Sequence, residues 1–369
     1  MQIEAMVIRE AGGPFLRESL TLDEPRPDEL LVRIVATGMC HTDLVIANQH
    51  VPYAMPCVLG HEGAGVVERV GTDIHGIVAG DHVVLTFNSC GTCRNCQSDH
   101  EAYCKDFRSF NLAGRRADGS ETLRRGEETV HGAFFSQSSF ATYALATLRN
   151  VVKVPKSVAL ERLGPLGCGV QTGAGAILNI LKPWDGSVAA VFGAGAVGLS
   201  ALLAAKLRNC SRIFVVDPVP SRRELALKLG ATDVIDPLAE SPATRISAAG
   251  GADVSLDTSG VPASVEAAIQ CLTRDGSCGL VSSGRPGATI TLPIGQISMG
   301  RKIVGVLEGD SNPQTFIPEL VDLHLQGRFP FDQMLRFYDF DDINQAAADS
   351  HAGVAIKPII RMPQGRGQA

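Results

Sequence analysis

The sequence predicts an α/β protein built from a β-rich domain and a doubly wound parallel sheet. Three observations predict it. Over roughly the first 150 residues, short β-branched runs alternate with glycine turns. Beyond about residue 170, strand-like runs alternate with helical stretches, the pattern of a parallel sheet. The chain has 369 residues, 45% of them hydrophobic, which is enough for two cores.

The elements follow in order. Residues 30–36, 65–70 and 83–87 read as strands of the first domain. Residues 171–181 have helical character. Residues 187–192 form a buried strand followed by glycines and a helix over 197–207. A strand at 213–216, a helix at 220–229 and strands at 234–235, 254–256 and 279–281 continue the alternation. A helix near 317–326 and an extended piece at 355–361 end the chain, and this tail is expected to return to the first domain. The expected division is a first, β-rich domain of 1–169 with 308–369, and a second domain of 170–307.

Composition excludes several classes. Net charge is −6, so no global basic surface exists for nucleic acid or anionic membrane. The basic residues at 105–128 are offset by neighbouring acids and read as a solvated loop. No apolar run reaches the roughly 18 residues of a membrane span. The start MQIEAMVIRE lacks the cationic and apolar regions of a secretion signal. Ten cysteines without such a signal fit a reducing cytoplasm, where they stay thiols or metal ligands.

Four of those cysteines, Cys90, Cys93, Cys96 and Cys104, are spaced C-x2-C-x2-C-x7-C. Four thiolates folded back by short loops make a closed tetrahedral cage that suits Zn²⁺; an iron–sulfur cluster is the other occupant such a set can hold. A closed knot does no chemistry. Cys57, Cys210, Cys271 and Cys278 read as plain buried thiols.

Gly193-Ala194-Gly195-Ala196-Val197-Gly198 reads G-x-G-x-x-G between a strand and a helix. Asp217 closes the next strand, 19 residues after Gly198. In that context the glycines permit a tight turn and close approach to a pyrophosphate, and the helix N-terminus favours its charge. Asp217 would accept bonds from both adenosine ribose hydroxyls and repel a 2′-phosphate, which favours NAD over NADP. Arg222 and Arg223 weaken that preference, since arginine can receive the phosphate.

A second metal set is suggested by Cys40-His41-Thr42-Asp43, Gly60-His61-Glu62-Gly63 and Gly167-Cys168-Gly169. Two thiolates and one imidazole leave a zinc position open for catalysis. Spacing does not connect Cys168 to Cys40, and alone Cys168 reads as a small buried side chain.

These motifs, with GDHV at 80–83, resemble the zinc-dependent medium-chain dehydrogenase/reductase superfamily over essentially the whole chain, and within it the alcohol dehydrogenases. Residues 131–144 and 163–176 resemble bacterial aryl-alcohol (benzyl alcohol) dehydrogenases in particular. The resemblance implies a GroES-like catalytic domain with a Rossmann domain, and two Zn²⁺ per chain. It implies Cys40, His61 and Cys168 as catalytic zinc ligands, with Glu62 as a carboxylate able to approach the metal. Asp43 would orient His61, Thr42 would relay the alcohol proton, and His41 would meet the cofactor pyrophosphate. Thr172 by the nicotinamide, Arg222 by the adenosine ribose and Lys357 by the phosphates rest on the resemblance alone. Val51, Phe87, Phe134 and Phe135 would line an apolar pocket. One departure is Val45, where many relatives carry a histidine that passes the proton to solvent; here the relay would end at His41 or in water.

The implied reaction is reversible oxidation of primary aromatic or allylic alcohols to aldehydes with hydride transfer to NAD. A dehydrogenase of polyols, terpenols or a formaldehyde–thiol adduct is the alternative within enzymes, and a non-catalytic nucleotide-binding protein the alternative outside them. The apolar residues at 290–292 and 303–307 read as a sheet edge or as an ordinary internal strand; the resemblance implies that such an edge pairs across a two-fold axis, giving a homodimer or homotetramer.

Overall fold

The computed structural model describes residues 1–282 and 284–363. Two compact units emerge. The first comprises Met1–Cys168, Asn312–Leu325 and the stretch from Met334 onward; the second comprises Gly169–Ser311 and Gln326–Gln333.

The first unit is β-rich. One sheet runs Cys57–Val58, Gln2–Ile8, Phe15–Leu22, Leu123–Arg125, Glu128–Val130. The other runs Val151–Val154, His82–Leu85, Glu62–Val70, Glu29–Gly38, Lys357–Arg361, Leu335–Asp339, with Tyr143–Thr147 also pairing Glu29–Gly38. Glu29–Gly38 is buried along nearly its whole length, because sheet neighbours and core residues cover both faces; its near-continuous apolar sequence is the consequence. The final strand, Lys357–Arg361, pairs antiparallel with it through Ile359 and Gly38. This pairing carries Lys357 back beneath the Cys40 turn.

The second unit is a six-stranded, all-parallel sheet ordered Asp233–Ile235, Arg212–Val216, Val188–Phe192, Ala252–Asp257, Leu272–Leu280, Lys302–Gly305. In chain order this is 3-2-1-4-5-6, the order of a doubly wound nucleotide-binding sheet. Its core is built from Phe192, Phe214, Val216, Ile246 and Ile269, all buried. Helices Pro220–Leu229, Pro242–Ala248 and Pro262–Gln270 each begin with proline, whose fixed φ suits the first helical position.

Several boundaries differ from the sequence reading. The strand expected at 279–281 is the end of a longer one, Leu272–Leu280, whose first half is polar and escapes an apolar criterion. The helix at 171–181 is an α-helix over Gly169–Gly175 that widens into π turns over Ala176–Leu181 and stops at Lys182, in a left-handed conformation. The basic stretch at 105–128 is not wholly solvated. Arg116 is buried against Glu29 and Asp23, at 2.6 and 3.1 Å, and joins the loop to the sheet.

Candidate active site and metal centres

The four cysteines of the lobe converge. Their sulfurs lie within 4.8 Å of one another, with Cys93 to Cys96 at 3.5 Å and Cys90 to Cys96 at 3.9 Å. A tetrahedron with metal–sulfur bonds of about 2.3 Å has edges of about 3.8 Å, so the cage has the size of one Zn²⁺. A multi-iron cluster, whose cysteines bind separate irons, needs its sulfurs farther apart. The backbone amides of Cys93 and Cys90 donate to Cys90 Sγ and Cys104 Sγ at 3.3 and 3.2 Å. Burial opposes a charge on Cys90, but the amides of Thr92 and Cys93 outweigh it and bring its thiol down to about 6. Gly91, at φ +70°, makes the turn, and the Arg149 guanidinium fills the space where a Cβ would stand.

A second cluster brings together Cys40, His61, Glu62 and Cys168, again with ligand atoms within 4.8 Å. Cys40 caps helix His41–Ala47. His61 precedes strand Glu62–Val70, and Cys168 follows the turn Gly164–Gly167. That turn lies tight on the strands: a Cβ on Gly164 would meet Glu62 O at 2.2 Å and one on Gly167 would meet Leu85 O at 2.0 Å. Glycine at these two positions lets the Cys168 loop approach His61.

Asp43 holds the cluster in register. Its Oδ2 accepts from the Cys40 amide at 2.8 Å, and its Oδ1 accepts from the Gly60 amide at 3.0 Å and lies 3.1 Å from His61 Nδ1. A carboxylate only accepts, so Nδ1 carries the proton and Nε2 presents a lone pair. Nε2 is buried and has no hydrogen-bond partner. An orphaned imidazole nitrogen aimed among two sulfurs and a carboxylate fits a metal ion and fits little else. Burial disfavours a charged imidazole, but Asp43 and Cys40 outweigh it and raise the His61 pKa, so a metal ion at Nε2 would take the place of a proton there. Cys40 is held well below the usual thiol range, first by its hydrogen bond with Cys168, against burial, and then by the Lys357 charge.

Lys357 has a partner that the sequence did not show. Its ammonium is buried and lies 2.8 and 2.9 Å from the two Glu62 oxygens and 3.2 Å from Met39 O. Its three protons are thus engaged inside the first unit. Burial opposes its charge, and the Glu62 carboxylate more than offsets that, so its pKa is raised. Glu62 therefore carries a bound counter-charge while sitting among the candidate ligands.

The phenylalanines expected to line a pocket are all buried. Phe135 stacks on the His61 ring at 4.5 Å, and Phe134 meets it edge-on at 5.3 Å. Their first task is to fix the imidazole plane. Phe87 packs against Phe107 at 6.0 Å, and Val51 is half-buried. The segment behind His61 is strained: Ala133, Phe135, Ser136 and Ser138 all have φ between 51° and 54°, a conformation costing about 1–2 kcal/mol per residue. Side-chain bonds hold it. The Phe134 amide donates to Ser138 Oγ at 2.9 Å, Ser138 Oγ to Val58 O at 2.7 Å, and Ser136 Oγ to Phe110 O at 2.8 Å.

Thr42 Oγ1 lies 3.8 Å from Cys40 Sγ. His41 is exposed and Val45 half-buried on the same helix. In the second unit, Gly193 makes the tight turn at φ +98°, and a Cβ on Gly198 would strike Gly193 O at 1.8 Å. At Gly195 a Cβ would meet no protein atom within 4 Å, which leaves a bare backbone cradle beside a helix N-terminus formed by Ala196 and Val197. Asp217 accepts from the amides of Ala194 and Val219, both at 2.8 Å. Each carboxylate oxygen retains a lone pair. Arg223 is engaged with Asp217 O and Asp236, whereas Arg222 lies 3.8 Å from Asp217 with a buried, unpartnered Nε. Thr172 is buried on helix Gly169–Gly175. Sequence reasoning missed Gln137, buried beside His61; an isolated glutamine in a serine-rich stretch carries no periodic or motif signal.

Residues 26–156 match the alcohol dehydrogenase GroES-like domain, and residues 196–325 match the zinc-binding dehydrogenase family. Geraniol dehydrogenase of Castellaniella defragrans is 44% identical over 362 residues, 97% of each chain. The chain belongs to the zinc-binding alcohol dehydrogenases. Two solved structures of this family are similar throughout. The alcohol dehydrogenase zinc-binding domain protein of Burkholderia ambifaria superposes with a TM-score of 0.97 at 50% identity, covering 99% of this chain and 100% of its own. Benzyl alcohol dehydrogenase of Acinetobacter calcoaceticus gives 0.96 at 45%, covering 98% and 100%. The two clusters of this alcohol dehydrogenase fit a structural and a catalytic zinc.

The buried Glu62–Lys357 pair yields a prediction. Lys357→Met leaves a carboxylate buried without its counter-charge, so it should destabilise the protein by about 3–5 kcal/mol. Urea denaturation checks this, and an unchanged midpoint would contradict the pairing.

Proposed function

We propose that this zinc alcohol dehydrogenase oxidises primary aromatic or allylic alcohols to aldehydes, reversibly, with NAD as hydride acceptor. The observation that carries the reading is the bare, buried Nε2 of His61 among Cys40, Cys168 and Glu62. Cys40, His61 and Cys168 would hold the catalytic zinc, and Cys90, Cys93, Cys96 and Cys104 the structural one. The chemistry supplied by the bound groups is Lewis acidity, which lowers the pKa of an alcohol hydroxyl, and a nicotinamide acceptor for its hydride. The chain's own residues do the rest. Asp43 keeps the proton on Nδ1 of His61, and Phe134 and Phe135 lock the ring. The Thr42 hydroxyl, beside Cys40, accepts the proton the alcohol gives up. Val45 supplies no onward acceptor, so the proton leaves by His41 or by water.

The apolar rings around His61, with Val51, support an apolar substrate, since a flat or unsaturated carbon skeleton buries well against aromatic walls. The relatives named for geraniol, an allylic alcohol, and for benzyl alcohol support the same class. The Asp217 carboxylate beside the Gly195 cradle supports NAD, because it would repel a 2′-phosphate. No helix among the described residues is long and apolar enough to cross a membrane.

Association of two copies is also proposed. Ile290, Ile294, Ile297, Met299, Ile303 and Leu307 are all exposed, with Ile294 at 86%, around the edge strand Lys302–Gly305. Such an apolar edge pairs well with a second copy.

Three measurements test this reading. Metal analysis should find two zinc ions per chain, and Cys40→Ser should lose one of them with a fall in turnover of about a hundredfold or more; normal turnover in that variant would remove Cys40 as a ligand. In an NADH-absorbance assay, benzyl alcohol and geraniol should be oxidised in preference to sorbitol, and NAD used in preference to NADP. A preference for sorbitol would sink the substrate assignment, and equal use of NADP the cofactor one. Light scattering should give a mass of at least two chains; a monomer would overturn the proposed association.

A further inference from the structure

The strands Glu62–Val70 and His82–Leu85 pair through Ala64 with Val84, Gly65 with Val83 and Val66 with His82. Beyond Ala64 this ladder ends, and it ends where the strands lead to the metal-site residues. A side chain takes over there. Gln137 Oε1 accepts from the Gly63 amide at 3.0 Å. Gln137 Nε2 donates to His61 O at 3.0 Å and to Thr86 O at 3.2 Å. The orientation of the amide is unambiguous, because an N–H can only donate and the two carbonyls can only accept. Thr86 Oγ1 then donates to Gly167 O at 2.7 Å, one residue from Cys168. A continuous chain of buried bonds thus runs from the backbone of His61, through Gln137 and Thr86, to the backbone before Cys168.

We propose that Gln137 is a positioning residue of the active site: its carboxamide replaces the missing rungs of the ladder and sets the spacing between His61 and Cys168. This rests on the reading of both residues as catalytic zinc ligands. Several features fit a demand for fixed placement. The segment Ala133–Ser138 is held in left-handed backbone conformations at four non-glycine positions. Asn150 Nδ2 donates to Ser136 O at 3.1 Å and Asn88 Nδ2 to Ser136 Oγ at 3.0 Å, so the residue before Gln137 is itself pinned. A Cβ on Gly63 would lie 3.1 Å from Gln137 Oε1 and 2.8 Å from Ser139 Cβ, so glycine there leaves room for the carboxamide. A thioether of the same length fills the space but makes none of the three bonds.

The test uses the purified, zinc-loaded enzyme and its Gln137→Met variant. With a chelator and a chromogenic reporter, release of one zinc per chain should quicken about tenfold or more, as for loss of other outer partners of metal ligands. Release of the four-cysteine zinc should not change. Cobalt exchanged into the catalytic site should show a shifted visible absorption band, and kcat should fall more than KM rises. A variant whose release rate and cobalt band match the parent overturns the inference, whatever its urea midpoint. Should Gln137→Met not fold, Thr86→Val removes only the link to Gly167. It should shift the same two readouts, and an unaltered cobalt band and release rate would equally overturn the inference. A parent that holds a single zinc refutes the zinc-ligand reading and this inference together; a two-zinc parent with an indifferent variant refutes this inference alone.

Discussion

The carboxylate of Asp43 is the constraint on which the site depends. It is wholly buried and bonds to the Cys40 amide, the Gly60 amide and the His61 ring. A buried carboxylate without partners would be costly, so the chain brings three donors to it. Those donors belong to the two segments that carry Cys40 and His61. Satisfying the charge therefore assembles the site. It also fixes the imidazole tautomer, which leaves Nε2 bare and facing the sulfurs.

The two cysteine-bearing clusters solve different physical problems. The lobe at Cys90–Cys104 is local. Short loops and amide–sulfur bonds close a cage whose sulfur separations match a tetrahedral ion. The cluster at Cys40, His61 and Cys168 is assembled from distant segments and needs outside support. Aromatic rings clamp the imidazole, and glycines at 164 and 167 allow close approach. A buried Glu62–Lys357 pair places a fixed positive charge beside two thiols. A closed site can be encoded by one loop, whereas a site that keeps a position open requires a scaffold around it.

How legible each part was follows from its range along the chain. The parallel sheet and its glycine turn were readable because strand, turn and helix are contiguous and their periodicities are local. The first half of Leu272–Leu280 was not, because its residues Thr273–Gly276 are polar or glycine and fall where the pairing register shifts, so no alternation of hydrophobicity marks them. The partner of Lys357 was not legible, because nothing around that lysine points to a carboxylate 295 residues earlier. Arg116 was read as solvated for the same reason, since its partner Glu29 lies on another element. Phe134 and Phe135 announced an apolar surface, but the ring they pack against could not be inferred from it.

By itself the sequence determined the α/β class, the four-cysteine cage and the chemistry available at the nucleotide turn, because each is written in residues a few positions apart. Residue spacing left open which cysteine joins Cys40 and His61, which the resemblance implied and the fold brings together; only the tertiary structure decided which nitrogen of His61 is left bare and what neutralises Glu62. These are outcomes of long-range packing, where the cost of burying a charge or a polar atom selects its partner from across the chain.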